Sequence, residues 1–187
     1  MRDNFIKQIT KSALEDENIM LLTADLGFKI FDDFRERCPK QFINVGIAEQ
    51  NMTSIASGLA FEGFKVFTYS IGNFPTLRCI EQIRNDICYP NLDVTIVSSG
   101  GGFSYGQLGV SHFATEDLSI MRALPNLSIY VPSEDWESEL VTNIILSKKG
   151  PNYLRIDKSL GGSENLKNGI SEGVRLVNKG DKIVIIT

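Results

Sequence analysis

Apolar residues fall along this chain in two rhythms. Short, nearly continuous apolar runs, the pattern of strands buried on both faces, alternate with longer stretches in which apolar positions return every three or four residues. The runs predict strands at Ile19 to Thr23, Phe42 to Val45, Lys65 to Tyr69, Val94 to Ser98, Ser128 to Val131 and Tyr153 to Ile156. The helical stretches predict helices at Asn4 to Leu14, Ala48 to Phe61, Pro75 to Cys88, Glu116 to Ala123 and Glu134 to Ser147. Strand and helix in alternation predict an α/β fold: an open, doubly wound, mainly parallel sheet with helices on both faces. Ser133 stands where an N-cap belongs, with Trp136 three residues on and Glu137 next, so the last helix is expected to start there with an imperfect capping box.

Beyond Arg155 the texture changes. Gly161, Gly162, Asn165, Asn168 and Gly169 punctuate a polar stretch before one last apolar run, Ile183 to Ile186. The expected organisation is one domain over 1–160, with 161–187 forming a linker and the first strand of a truncated C-terminal domain.

Composition narrows the classes of function. The chain has 187 residues, 42% of them hydrophobic, enough for a real core. Its net charge of -4 arises from acids and bases mixed along the chain, with no basic block to track a phosphate backbone, so no nucleic acid is expected as a partner. Cys38, Cys79 and Cys88 lack metal-type spacing, and His112 is the single histidine, so no metal site is expected on this chain. The cysteines read as reduced thiols of a cytoplasmic protein. Met1 to Gln8 carries charges instead of an apolar signal core, and no apolar run reaches the length of a bilayer, so no membrane is expected.

The segment richest in chemistry is Phe42-Ile43-Asn44-Val45-Gly46-Ile47-Ala48-Glu49-Gln50-Asn51-Met52, a strand that breaks at a glycine and enters a helix of small residues. Ligands of open α/β sheets bind beyond the carboxyl ends of the strands, which is where Glu49 falls. A first-turn glutamate is equally explained by favourable interaction with the helix dipole, and the segment alone leaves both explanations standing. Gly100-Gly101-Gly102 through Gly106 has neither the Lys-Ser/Thr of a nucleotide loop nor a dinucleotide fingerprint, so it is not read as a phosphate loop.

Taken in order, Ala24-Asp25-Leu26-Gly27, the glutamate segment, Gly58-Leu59-Ala60, Thr68-Tyr69-Ser70, Gly109-Val110-Ser111-His112, Arg122-Ala123-Leu124-Pro125-Asn126 and Tyr153-Leu154-Arg155 resemble the pyrimidine-binding domain of transketolases and 1-deoxyxylulose-5-phosphate synthases. The resemblance covers most of the chain. It implies that thiamine diphosphate is the cofactor and that Glu49 hydrogen-bonds a ring nitrogen of its aminopyrimidine, so that the cofactor's exocyclic nitrogen becomes the base. It further implies that Phe74, with Ile71 nearby, packs on the pyrimidine, and that Asp25 holds a loop of the thiazolium pocket. His112 would lie near the reacting carbons, where it stabilises an alkoxide or relays a proton. Arg155 and Arg2 would bind a sugar phosphate, for which the guanidinium fork is suited. Ordinary core packing for Phe74 and solvated surface charge for Arg2 remain the plain alternatives.

Two positions depart from the family. Classical transketolases carry a histidine early in the loop where this chain has Gly100, and an acidic residue where it has Leu108. An altered sugar specificity is implied. The Gly-Asp-Gly motif that holds diphosphate and a divalent metal, Mg2+ or another, does not occur in the chain. The resemblance therefore implies an N-terminal transketolase-like subunit as partner, homodimerisation and an α2β2 assembly. The expected activity is a transferase moving a two-carbon ketol unit between sugars. A 1-deoxyxylulose-5-phosphate synthase-like subunit, a 2-oxo acid dehydrogenase E1 beta-like subunit and a non-catalytic partner-binding homologue are the competing possibilities.

Overall fold

The computed structural model describes residues 1–157, together with the backbone of a short antiparallel pair, Ile170–Ser171 and Val174–Arg175. The closing strand expected at Ile183 to Ile186, and the linker residues around it, lie outside the described residues.

Six parallel strands form one sheet: β1 (Ile19–Thr23), β2 (Phe42–Asn44), β3 (Lys65–Ile71), β4 (Val94–Ser99), β5 (Ser128–Tyr130) and β6 (Asn152–Ile156), in the order β2-β1-β3-β4-β6-β5. The central strands read as unbroken apolar runs because both faces are covered: every residue of β1 and of β4 is buried. One face packs against α3 (Glu49–Phe61), the helical segment 77–88, here α4, and α5 (Asp117–Arg122), with Leu22, Met52, Ile83, Ile96, Met121 and Tyr153 at its centre. The other packs against α1 (Arg2–Glu15), α2 (Asp32–Arg37) and α6 (Asp135–Ser147), around Phe5, Phe31, Phe34, Phe67 and Leu154. Each large side chain so buried contributes about 1.5–3 kcal/mol relative to exposure.

The chain runs from β1 outward to β2, then returns across β1 to β3 and continues to β4. The strand order therefore reverses between β1 and β3, and the crevice at such a switch point is where open α/β sheets bind ligands.

Three local expectations are corrected. The helix predicted over Pro75 to Cys88 begins at Leu77 and is composite: a 3-10 turn (Leu77–Cys79), a short α turn (Ile80–Gln82) and a π segment (Ile83–Cys88). The wider π turn brings residues five apart onto one face, so Ile83 and Cys88 are both fully buried. The N-cap of α6 is Glu134, not Ser133, and the capping box is complete, with Glu137 at N3 reaching back to the Glu134 N–H at 3.1 Å. Finally, α2 has no counterpart among the expected helices. Its sequence is mostly charged, and its helical period is carried by Phe34 alone, the one buried residue between Arg35–Asp32 and Arg37–Asp33 pairs.

Candidate active site

The connections after β2, β3 and β4 gather most of the side chains singled out by sequence. Val45 still donates its N–H to the Thr23 carbonyl at 2.9 Å; Gly46, at φ 75°, then turns the chain, and α3 starts at Glu49. Ala48 provides no side-chain cap, so the Glu49 carboxylate is the acidic group of the first turn. It is nevertheless only 3% exposed, and a charge taken that far out of water needs a direct partner. Arg78 is that partner, its Nη1 donating to Glu49 Oε2 at 2.6 Å. The pair forms because α3 packs against the 3-10 turn that carries Arg78.

The Arg78 guanidinium also lies 4.6 Å from the centroid of the Phe74 ring, a cation–π distance. Phe74 in turn meets His112 edge-on, their ring centroids 5.0 Å apart. Glu49, Arg78, Phe74 and His112 thus form one continuous file. Two features hold it. Asn73 Nδ2 donates to the Ser111 carbonyl at 2.8 Å, tying the β3 connection to the His112 turn. Gly72 lets the same connection approach the β4 loop: a Cβ there would stand 2.5 Å from the Gly100 carbonyl oxygen and 2.6 Å from Ala114 Cβ. Ile71 ends β3, and its carbonyl accepts from the Phe74 N–H at 2.8 Å, opening the turn that presents the phenyl ring.

Arg155, on β6, faces the α5 side of the sheet. Its Nη1 donates to both oxygens of Asp117, at 3.0 and 3.3 Å, and Tyr153 Oη donates to Asp117 Oδ2 at 2.6 Å. Burial, with the Asp117 charge adding to it, pushes the Tyr153 phenol above its ordinary pKa. Asp25 lies at the end of β1 at φ 56°, its N–H donating to Asn44 Oδ1 at 2.9 Å, so Asn44 joins the ends of β1 and β2. Arg2 opens α1 on the opposite face of the sheet, where its Nε donates to Asp3 at 3.1 Å. The structure therefore brings Glu49, Phe74 and His112 together, sets Ile71 at the turn that carries Phe74, leaves Asp25 with Asn44 at the end of β1, and separates Arg155 from Arg2 across the sheet.

Sequence reasoning missed Arg78 and Asp117. Arg78 follows Phe74 by four residues, and a cation in the turn after an aromatic is a legible hint; its pairing with a carboxylate 29 positions away is not. Asp117 opens α5, a position ordinarily assigned to the helix dipole.

A buried carboxylate whose partner is a half-exposed side chain, next to an aromatic ring, suits a flat heteroaromatic ligand with a hydrogen-bonding nitrogen. The aminopyrimidine implied by the resemblance has that chemistry. Among the described residues no group of three or more His, Cys, Asp or Glu is placed to hold a metal ion. Nor is any helix among them long and apolar enough to cross a membrane.

Comparison with known proteins shows the family and the fold. The family described as transketolase, pyrimidine binding domain, matches residues 1–163. A protein of Methanocaldococcus jannaschii named as a transketolase C-terminal section is 35% identical over the whole of this chain and 61% of its own length. One of the subunits of the apulose-4-phosphate transketolase of Phocaeicola vulgatus is 31% identical over 84% of this chain and 51% of its own. Among solved structures, a split-gene transketolase described as an inactive beta4 tetramer superimposes with a TM-score of 0.77 at 34% identity, covering 94% of this chain and 55% of that one. The chain thus spans about half to three fifths of the length of these relatives.

Proposed function

We propose, from the premise that this chain belongs to the transketolase pyrimidine-binding domain family, that it supplies the pyrimidine half of a thiamine diphosphate site for two-carbon ketol transfer between sugar phosphates. The observation that carries the proposal is the Glu49 carboxylate, 3% exposed at the switch-point edge of the sheet and in file with Phe74 and His112.

In this reading Glu49 holds the ring nitrogen of the aminopyrimidine, Phe74 and Ile71 form its apolar wall, and Asp25 shapes the neighbouring loop. When bound, thiamine diphosphate supplies the carbon nucleophile that the twenty amino acids lack. His112 stands where it can donate a hydrogen bond to an oxygen developing negative charge. Arg155, whose bonds to Asp117 use Nη1 alone, keeps Nε and Nη2 for a substrate phosphate. Arg2 serves the same substrate only if it reaches across the carboxyl edge of the sheet.

The diphosphate and Mg2+ are assigned to an N-terminal transketolase-like subunit, as the names of the relatives, a C-terminal section and one subunit of a transketolase, suggest. Exposed apolar side chains support a partner on that edge: Phe28, Ile47, Phe103 and Val110, on the connections after β1, β2 and β4, are 74%, 81%, 67% and 79% exposed. Homodimerisation and an α2β2 assembly belong to the proposal, as does a cytoplasmic setting, which suits three free, buried thiols. Gly100, at φ 83°, has Tyr105 so close that an added Cβ would lie 2.4 Å from its ring, so a larger residue does not fit there without moving Tyr105. Sugar recognition therefore differs from that of enzymes with a histidine at this place.

The test is ketol transfer by the chain as its gene encodes it, combined with the N-terminal subunit, thiamine diphosphate and Mg2+, across phosphorylated and unphosphorylated ketoses. Turnover that requires both chains and favours phosphorylated donors supports the proposal. Transfer from a 2-oxo acid instead of a ketose, or no cofactor binding by a folded complex, rejects it.

A further inference from the structure

We infer that Arg78 is a placeholder for the cofactor: it occupies the Glu49 carboxylate while the pyrimidine site is empty and has to leave it when the aminopyrimidine binds. The inference rests on the assignment of Glu49 to the cofactor's ring nitrogen.

Two demands on Glu49 conflict. Before ligand arrives, a carboxylate at 3% exposure needs a countercharge, and the Arg78 bond at 2.6 Å is the hydrogen bond its side chain accepts among the described residues. Once a flat ring is to lie on Phe74 with its nitrogen against that carboxylate, a guanidinium 2.6 Å from Glu49 Oε2 and 4.6 Å from the Phe74 centroid stands in its place. The space between Glu49 and Phe74 cannot hold both, so cofactor and Arg78 compete for it.

The geometry makes Arg78 the partner that yields. Glu49 is fixed in the first turn of a 13-residue helix and buried, whereas the Arg78 side chain is 45% exposed and extends from a three-residue 3-10 turn. The guanidinium is held by one hydrogen bond and by the face of Phe74, 4.6 Å from its central carbon. The Phe74 face is the one proposed for the pyrimidine, so the guanidinium gives up ring and carboxylate together, and its half-exposed side chain has solvent to enter. The fraction of chains in which Arg78 holds Glu49 then lowers the apparent affinity for the cofactor, which binds only the remainder.

The test is calorimetric titration of thiamine diphosphate, with Mg2+, into the complex with the N-terminal subunit, from which Kd is read. Arg78→Gln is expected to tighten binding about three-fold, the size of a half-exposed ion pair. Arg78→Lys, which keeps the charge, should fall between the two, and serves alone if Arg78→Gln does not fold. In a Glu49→Gln background the effect of Arg78→Gln should vanish. Equal or weaker binding by Arg78→Gln, or by Arg78→Lys where it stands alone, overturns the inference while leaving Glu49 as the cofactor's partner. A wild-type complex that binds no thiamine diphosphate removes the proposed function, and this inference with it.

Discussion

Arg155, on an interior strand, is held 3.0 Å from Asp117, a carboxylate whose side chain is 1% exposed and which lies 38 positions earlier in the chain. The pair joins α5 to the sheet and sets the direction of the guanidinium. Asp117→Ala leaves a partly buried guanidinium and the buried Tyr153 hydroxyl without their acceptor. We expect a loss of about 3 kcal/mol in unfolding free energy, read from the urea midpoint, and a raised KM for phosphorylated donors as Arg155 loses its anchor.

Gly72 is required by space. In Gly72→Ala the new Cβ meets a backbone oxygen and another Cβ at 2.5 and 2.6 Å, neither of which gives way without moving the β4 loop. A loss of about 2–3 kcal/mol is expected, measured by urea unfolding, and Phe74 and His112 should separate with it.

The capping of α6 is a smaller, cleaner case. Glu137 Oε2 accepts from the Ser133 N–H, the Ser133 hydroxyl and the Glu134 N–H. Glu137→Ala should cost about 1 kcal/mol, visible as a lower Tm, with cofactor affinity unchanged.

Two buried thiols make stability depend on alkaline pH. The ordinary cysteine value is 9.0, and burial pushes Cys79 and Cys88 each up to about 11, the Glu49 charge adding to the shift at Cys79. The folded chain holds these protons more tightly than the unfolded one, so their contribution is fully present below pH 9 and is lost as pH rises towards 11. Unfolding midpoints measured across that window should fall, and Cys88→Ala should flatten the fall.

Much of the fold was legible because its strands are buried on both faces and leave unbroken apolar runs; Ile19 to Thr23 coincides with β1. The glutamate segment was equally legible, since Gly46 marks the turn and Glu49 the helix start. The π turn over Ile83–Cys88 was hidden because its apolar residues also fit an α-helical period. Arg78 and Asp117 were hidden for another reason: each acts through a residue that only the sheet order brings near, and local pattern carries no trace of a partner 29 or 38 positions away.

The central claim, that Glu49 works on the cofactor's pyrimidine, is tested most directly by the ketol-transfer rate of the two-subunit complex carrying Glu49→Gln. The substitution keeps shape and hydrogen bonding but removes the carboxylate that can share a proton. We predict a fall in kcat of at least about a hundred-fold with thiamine diphosphate still bound; a variant that turns over at the wild-type rate would contradict the account.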